Sequence, residues 1–221
     1  MRFLTLIFAG VCVMISAAPS RADLIISQYY AGSGNNNWIE ITNIGAGTVD
    51  LGASEVNLSV YKNKDREDWK SGDSSRDTIE LSGLLSTGDS LLVARNSSGS
   101  PGYATPSIAS RRLSFNGDDS VVLWSGDDYS LSNVVDAFGV TGRGFDRVSY
   151  VRDPSVTAGV NTDFDSTNWI SFSPSEVNSA PVGAIQRLGY HASASVPEPN
   201  SLALLGLPLL CAVGYRRHRR K

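Results

Sequence analysis

The stretch LIISQYYAGSGNNNWIEITNIGAGTVDLGA, residues 24–53, sets the reading of the fold. It opens on an apolar run, breaks on a Gly, Ser and Asn loop, and resumes with Ile39 and Ile41 alternating around Glu40. A period of two puts successive side chains on opposite faces of a strand, so Ile39 and Ile41 are expected inside and Glu40 outside. Trp38 then falls on the side of Glu40, unless the strand begins with a bulge or its second face is also covered. The GSGNNN loop tolerates left-handed backbone and reads as a turn joining two strands.

Moving outward, the same grammar continues. Strand-like runs occupy 24–30, 38–44, 56–62, 77–81, 90–95, 120–125, 133–139 and 146–152, with Val56, Leu58 and Val60 again alternating. Turn-forming clusters separate them: GAGTVDLGAS, LSTGD, NSSGSPG and NGDD. No window shows a helical period with caps. The body, residues 23–190, has the size of one domain, and an all-β sandwich of roughly 7–9 strands accounts for its pattern. Trp124 and Trp169 are expected in the core, with ligand stacking as the alternative role.

Composition narrows the chemistry. The only cysteines are Cys12 and Cys211, near the two ends, so the body has no thiol for a disulfide, a zinc site or a nucleophile. His191 is its only histidine, and a Ser-His-Asp triad would have to use it. The chain from Asp23 to Glu198 holds all 22 acidic residues against 12 of the 19 basic ones, a balance of −10. Such a body repels phosphate backbones, and nucleic acid is not an expected partner.

Three acidic clusters carry the candidate metal chemistry. NGDDS (116–120), SGDDYS (125–130) and NTDFDSTNW (161–169) each concentrate side-chain oxygens, as a hard cation such as calcium requires. The candidate calcium ligands are Asp118, Asp119, Asp163, Asp165 and Asn168; the last three have D-x-D-x-x-N spacing but lack the glycine and distal Glu of an EF-hand. Solvated turns are the plainer reading of all three. Asp118, Asp119, Asp127, Asp128 and Glu40 could pair as glycosidase carboxylates, but no pair is set apart, and no G-x-S-x-G, P-loop or HExxH sequence occurs. No enzyme and no obligatory cofactor are expected.

The two ends point to export. Residues 1–22 carry a basic Arg2, an apolar run from Phe3 to Ile15, and small residues at Ser20 and Ala22, the layout of a signal peptide cut by signal peptidase. At the other end, HASASVPEP gives a linker (191–196) before Val196, Pro197, Glu198 and Pro199. A single hydrophobic helix is expected over 201–215, about 22 Å long and short of the ~30 Å hydrocarbon core. Arg216, Arg217, Arg219, Arg220 and Lys221 then hold the terminus on the cytoplasmic side.

Two resemblances follow from these residues. LIISQYYAGSGNNNWIEITNIGAGTVDLGA, LSFNGDDSVVLW, NVVDAFGVTG, FDSTNWI and RLGYH together resemble lamin-tail-type domains of the bacterial extracellular branch. That resemblance implies an immunoglobulin-like β-sandwich, often appended to secreted nucleases whose catalytic sequence is missing here. The ending, 197–221, resembles the PEP-CTERM sorting signal, which implies recognition and cutting near Pro-Glu-Pro by exosortase after transient insertion in the inner membrane of a Gram-negative bacterium. The expected protein is an exported, non-catalytic component of the cell surface or extracellular matrix, associated with exopolysaccharide, biofilm or cell-surface proteins. A calcium-assisted adhesion module and a matrix-degrading hydrolase are the alternatives.

Overall fold

The computed structural model describes residues 24–34, 36–62, 68–71, 77–95, 99, 101–139 and 145–191. Both ends, and with them the signal peptide, most of the linker, the Pro-Glu-Pro motif and the hydrophobic helix expected from the sequence, lie outside these residues. The strands are β1 (Leu24–Ala31), β2 (Asn37–Asn43), β3 (Val49–Asp50), β4 (Val56–Tyr61), β5 (Asp77–Glu80), β6 (Leu84–Leu85), β7 (Ser90–Ala94), β8 (Ile108–Ala109), β9 (Ser120–Ser125), β10 (Val134–Phe138), β11 (Ser149–Arg152) and β12 (Trp169–Phe172). They form a six-stranded sheet, β12-β11-β1-β2-β7-β8, a four-stranded sheet, β10-β9-β4-β5, and a small β3-β6 ribbon. Each expected run contains a strand; β3, β6, β8 and β12 were not expected as strands.

The two larger sheets face each other across an apolar core. Leu24, Ile26, Ile39 and Ile41 from one sheet meet Val56, Leu58, Val60, Val121 and Leu123 from the other, all buried. Strict alternation along β1 would turn Tyr29 outward. A bulge between Ile26 and Gln28 inserts one residue, resets the parity, and sends Tyr29 and Ala31 into the same core as Ile26. Tyr29 stacks there on Phe115 and Phe138 at centroid distances of 4.6 and 4.1 Å, and Trp169 meets Phe138 edge-on at 4.8 Å.

The other face of the six-stranded sheet is covered too. Residues 173–191 cross it as a strap containing a single helical turn, α1 (Pro174–Asn178). Ser173 and Glu176 form a capping box with Pro174 at its start, so here the expectation of no capped helix fails: one turn is too short to show a period. Tyr30, Trp38, Leu92, Ala94, Val177 and Leu188 make a second apolar cluster beneath the strap. Trp38 does lie on the side of Glu40, and the second covered face is what buries it to 2 % exposure. Glu40 does face outward from the core, but the strap covers that face and leaves it only 1 % exposed. A further helical turn at Asp68–Ser71 brings Trp69 onto the outer face of the four-stranded sheet beside Tyr61 and Val122.

Candidate functional site

Two groups of polar side chains and one histidine are buried in the sandwich. The first surrounds Glu40. Its Oε1 accepts from Ser27 Oγ at 2.7 Å, Ser27 accepts from Thr42 at 2.7 Å, and Thr42 meets Ser90 at 2.7 Å. Its Oε2 accepts the backbone N–H of Gly189 on the strap. Burial raises the carboxyl's pKa, while donors from Ser27, Gly189, Ser90 and Thr42 pull it back. This is a latch: a carboxylate on β2 holds the end of the strap, aided by Gln28 Nε2 on the Gln186 carbonyl (3.0 Å) and by Tyr103, whose hydroxyl donates to Val177 O at 2.8 Å.

The second group ties the two sheets. Asp136 on β10 reaches across to β1, where its Oδ2 takes the Ile26 N–H at 2.7 Å next to the bulge, and the same oxygen pairs with the guanidinium of Arg152 on β11. Oδ1 accepts from Ala137 N (3.0 Å) and Val160 N (2.8 Å). Both charged side chains are fully buried. Burial pushes the Asp136 pKa up, and Arg152 opposes this most strongly. Arg152 also lies over the Trp169 ring at 3.9 Å. The segment carrying Val160 runs so close to β10 that a Cβ on Gly159 would sit 2.2 Å from Val135 O, so glycine is required there. It covers the edge of the four-stranded sheet.

His191, 8 % exposed, closes the strap against this pair. Burial first, then the Arg152 charge, lowers its pKa from the usual value to about 4. Among the described residues its Nε2 has no hydrogen-bond partner, so no serine is bonded there as a triad would need.

The candidate calcium ligands are dispersed in role. Asp119 is buried and its Oδ2 accepts the Asn116 N–H at 2.8 Å, while Asp118 beside it is half-buried. Asp163 forms an ion pair with Lys70 at 2.9 Å; Asp165 caps the turn Ser166–Asn168 by accepting from Thr167 N at 2.9 Å, which lowers its pKa. No group of three or more His, Cys, Asp or Glu that could hold a metal occurs among the described residues. Asp127 and Asp128 lie exposed on the turn after β9. Asp127 joins Glu55, Asn57, Thr78, Glu80 and Trp124 in lining an open cleft of about 620 Å³ on the four-stranded sheet.

The sequence already hinted at some of this. A lone Asp within VVDAF and an Arg ending SYVR are charges in apolar strands, which signals a buried pair. Glu40 within WIEIT carries no such signal, because a single charge alternating with isoleucines is what an outward strand position shows whether or not that face is covered.

Residues 17–152 match the family model for the Lamin Tail Domain, which spans more than half of the chain. The chain belongs to the lamin tail domain family. Its two facing sheets are the immunoglobulin-like sandwich of that family. A second model, the PEP-CTERM protein-sorting motif, matches residues 195–220. No curated protein and no solved structure matches the chain. The sorting motif makes this lamin tail protein an exosortase-sorted extracellular protein of a Gram-negative bacterium, at the cell surface or beyond it. The family match ends at Arg152, so β12 and the strap, which carry Trp169, Val177, Leu188 and His191, lie between the two matched regions.

Proposed function

We propose that this lamin tail protein is a non-catalytic binding or structural module of the extracellular matrix, associated with exopolysaccharide or with other surface proteins. The observation that carries the reading is the sorting motif at 195–220 behind a single β-sandwich. Support comes from the residues with catalytic potential on paper. Glu40 latches the strap and His191 is buried beside Arg152, so both serve the fold. The module enters export through the signal peptide at 1–22, is held briefly in the inner membrane by 201–215, and is released by cutting near Val196, Pro197, Glu198 and Pro199. It works without a cofactor. The test is cell fractionation with C-terminal mass spectrometry, with and without the exosortase. Loss of residues 201–221 only when the exosortase is present is expected. A surface-located protein that keeps them would overturn the processing, and release of product from polysaccharide would overturn the non-catalytic role.

A further inference from the structure

A second cleft, of about 390 Å³, opens where the first loop meets the strap and is lined by Tyr30, Ser33, Asn36, Arg147, Pro174 and Asn178. Its floor is built by a chain of hydrogen bonds. Trp38 Nε1 donates to Asn36 Oδ1 at 2.9 Å, Asn36 Nδ2 to the Tyr30 hydroxyl at 3.3 Å, and that hydroxyl to Asn178 Oδ1 at 3.0 Å. Both amides are thereby oriented before anything binds, which lowers the ordering cost of recognition. Arg147 stands at the wall with φ of 52°, a backbone conformation that non-glycine residues avoid. It is exposed, and among the described residues its guanidinium has neither an ion pair nor a hydrogen bond.

The nearby carboxylates are engaged elsewhere. Asp146 Oδ1 accepts the Gly117 N–H at 2.7 Å, and Glu176 Oε2 closes the capping box with Ser173. Among the described residues, no acidic side chain lines the cleft. An unpaired guanidinium in an otherwise acidic body, set among amide and hydroxyl groups, fits a planar anion carried on a hydroxyl-rich molecule. We propose that the cleft binds a carboxylated sugar. Arg147 takes the carboxylate, and Asn36, Asn178 and Ser33 exchange hydrogen bonds with the ring hydroxyls, while the buried Tyr30 holds the two amides from behind. A volume of about 390 Å³ suits one or two sugar rings. A peptide carboxylate fits less well, because among the described residues the lining offers one aliphatic side chain, Pro174, and no edge strand to extend. The negative body repels a long polyuronate, but beyond about 10 Å that repulsion is screened at ordinary ionic strength, so short acidic stretches or isolated uronates are the ligands.

This inference rests on the reading of the body as a matrix-binding module, and its test separates the two. The protein released from cells is titrated calorimetrically with trigalacturonate, its methyl ester, a neutral trigalactose and a triglutamate peptide. Trigalacturonate is expected to bind at least about tenfold more tightly than the ester, the scale of a charge-assisted hydrogen-bond pair. Arg147→Gln should remove that difference and Arg147→Lys should keep part of it. Arg147→Asn, which tolerates the left-handed backbone, repeats the test should Arg147→Gln fail to fold. Equal binding of acid and ester, an undiminished preference in Arg147→Gln, or preference for triglutamate overturns the proposal. Binding of the neutral sugar alone, or of no sugar, sinks this cleft; the matrix reading falls only to the fractionation and product-release tests given for it.

Discussion

Asp136 shows what one side chain does in this sandwich. Its two oxygens serve three backbone N–H groups and one guanidinium, joining β1, β10, β11 and the segment at Val160. Removing one partner of a fully buried pair strands the other, at a typical cost of about 3–5 kcal/mol. Asp136→Ala is therefore expected to lower stability by that amount in urea unfolding, and the double variant Asp136→Leu, Arg152→Met by much less. Equal losses would show that the pair contributes no more than its shape. His191 gives the same neighbourhood a pH dependence. Its pKa is about 4 when folded, against about 6.5 when free, so the unfolded chain binds the proton more readily. Its contribution is complete above about pH 6.5 and is lost as pH falls towards 4, roughly 2–3 kcal/mol in all. Glu40, with its raised pKa, works in the opposite direction: its destabilising desolvation grows as pH rises through the folded pKa. His191→Gln is expected to flatten the stability curve between pH 6.5 and 4. Curves that run parallel for the two proteins would refute the assignment.

At the scale of elements, alternation and turn chemistry made most strands legible. Ile39 with Ile41, and Val56 with Leu58 and Val60, named the inner faces correctly because a half-buried strand leaves a period of two. What a period cannot carry is a second cover. The strap lies about 150 residues along the chain from the β2 face that it buries, since Gly189 bonds Glu40 across a sequence separation of 149. Nothing local in WIEIT distinguishes solvent from a distant peptide N–H. The β1 bulge was hidden for a related reason, because a one-residue insertion is specified by tertiary partners such as Asp136, not by composition. Glu40→Ala is expected to free the strap. Amide exchange at Val177 and Gly189 should accelerate while Leu58 and Leu123 in the four-stranded sheet keep their protection; uniform acceleration would show that the strap has no separate stability. The D-x-D-x-x-N loop was legible as a turn. With Asp163 paired to Lys70 and Asp165 capping Thr167, its carboxylates are already in use. Millimolar calcium is expected to leave Tm unchanged, and a rise reversed by EGTA would restore the loop as a chelator.

Across the whole molecule, the fold extends further than the family match. The matched region stops at Arg152, yet the side chain of that residue is stacked on Trp169 and paired beneath His191, both of which come later. β12 pairs along the whole of β11, from Arg152 with Trp169 to Ser149 with Phe172. The strap then buries Tyr30, Trp38 and Leu92 and supplies the partner of Glu40. A chain ending at Arg152 would leave a buried guanidinium under open water, an uncovered Trp38, and an edge on β11 with its pairing groups free. Each large apolar side chain exposed costs about 1.5–3 kcal/mol, and native domains hold only about 5–15 kcal/mol in reserve. Residues 23–152 are therefore expected to lack a cooperative thermal transition and dispersed amide signals, and residues 23–191 to show both. A cooperative transition from the shorter chain would demote the strap to an accessory. If instead only the longer chain folds, His191, buried at the end of the strap, stands four positions before Ser195, where the match to the sorting motif begins. Four positions span at most about 14 Å in any conformation, so the sandwich is held close to the sorting motif. Inserting a ten-residue Gly-Ser spacer after His191 would then relieve any crowding between body and membrane, and faster tail removal in pulse-chase labelling is the expected result. An unchanged rate would show that the short reach imposes no constraint on processing.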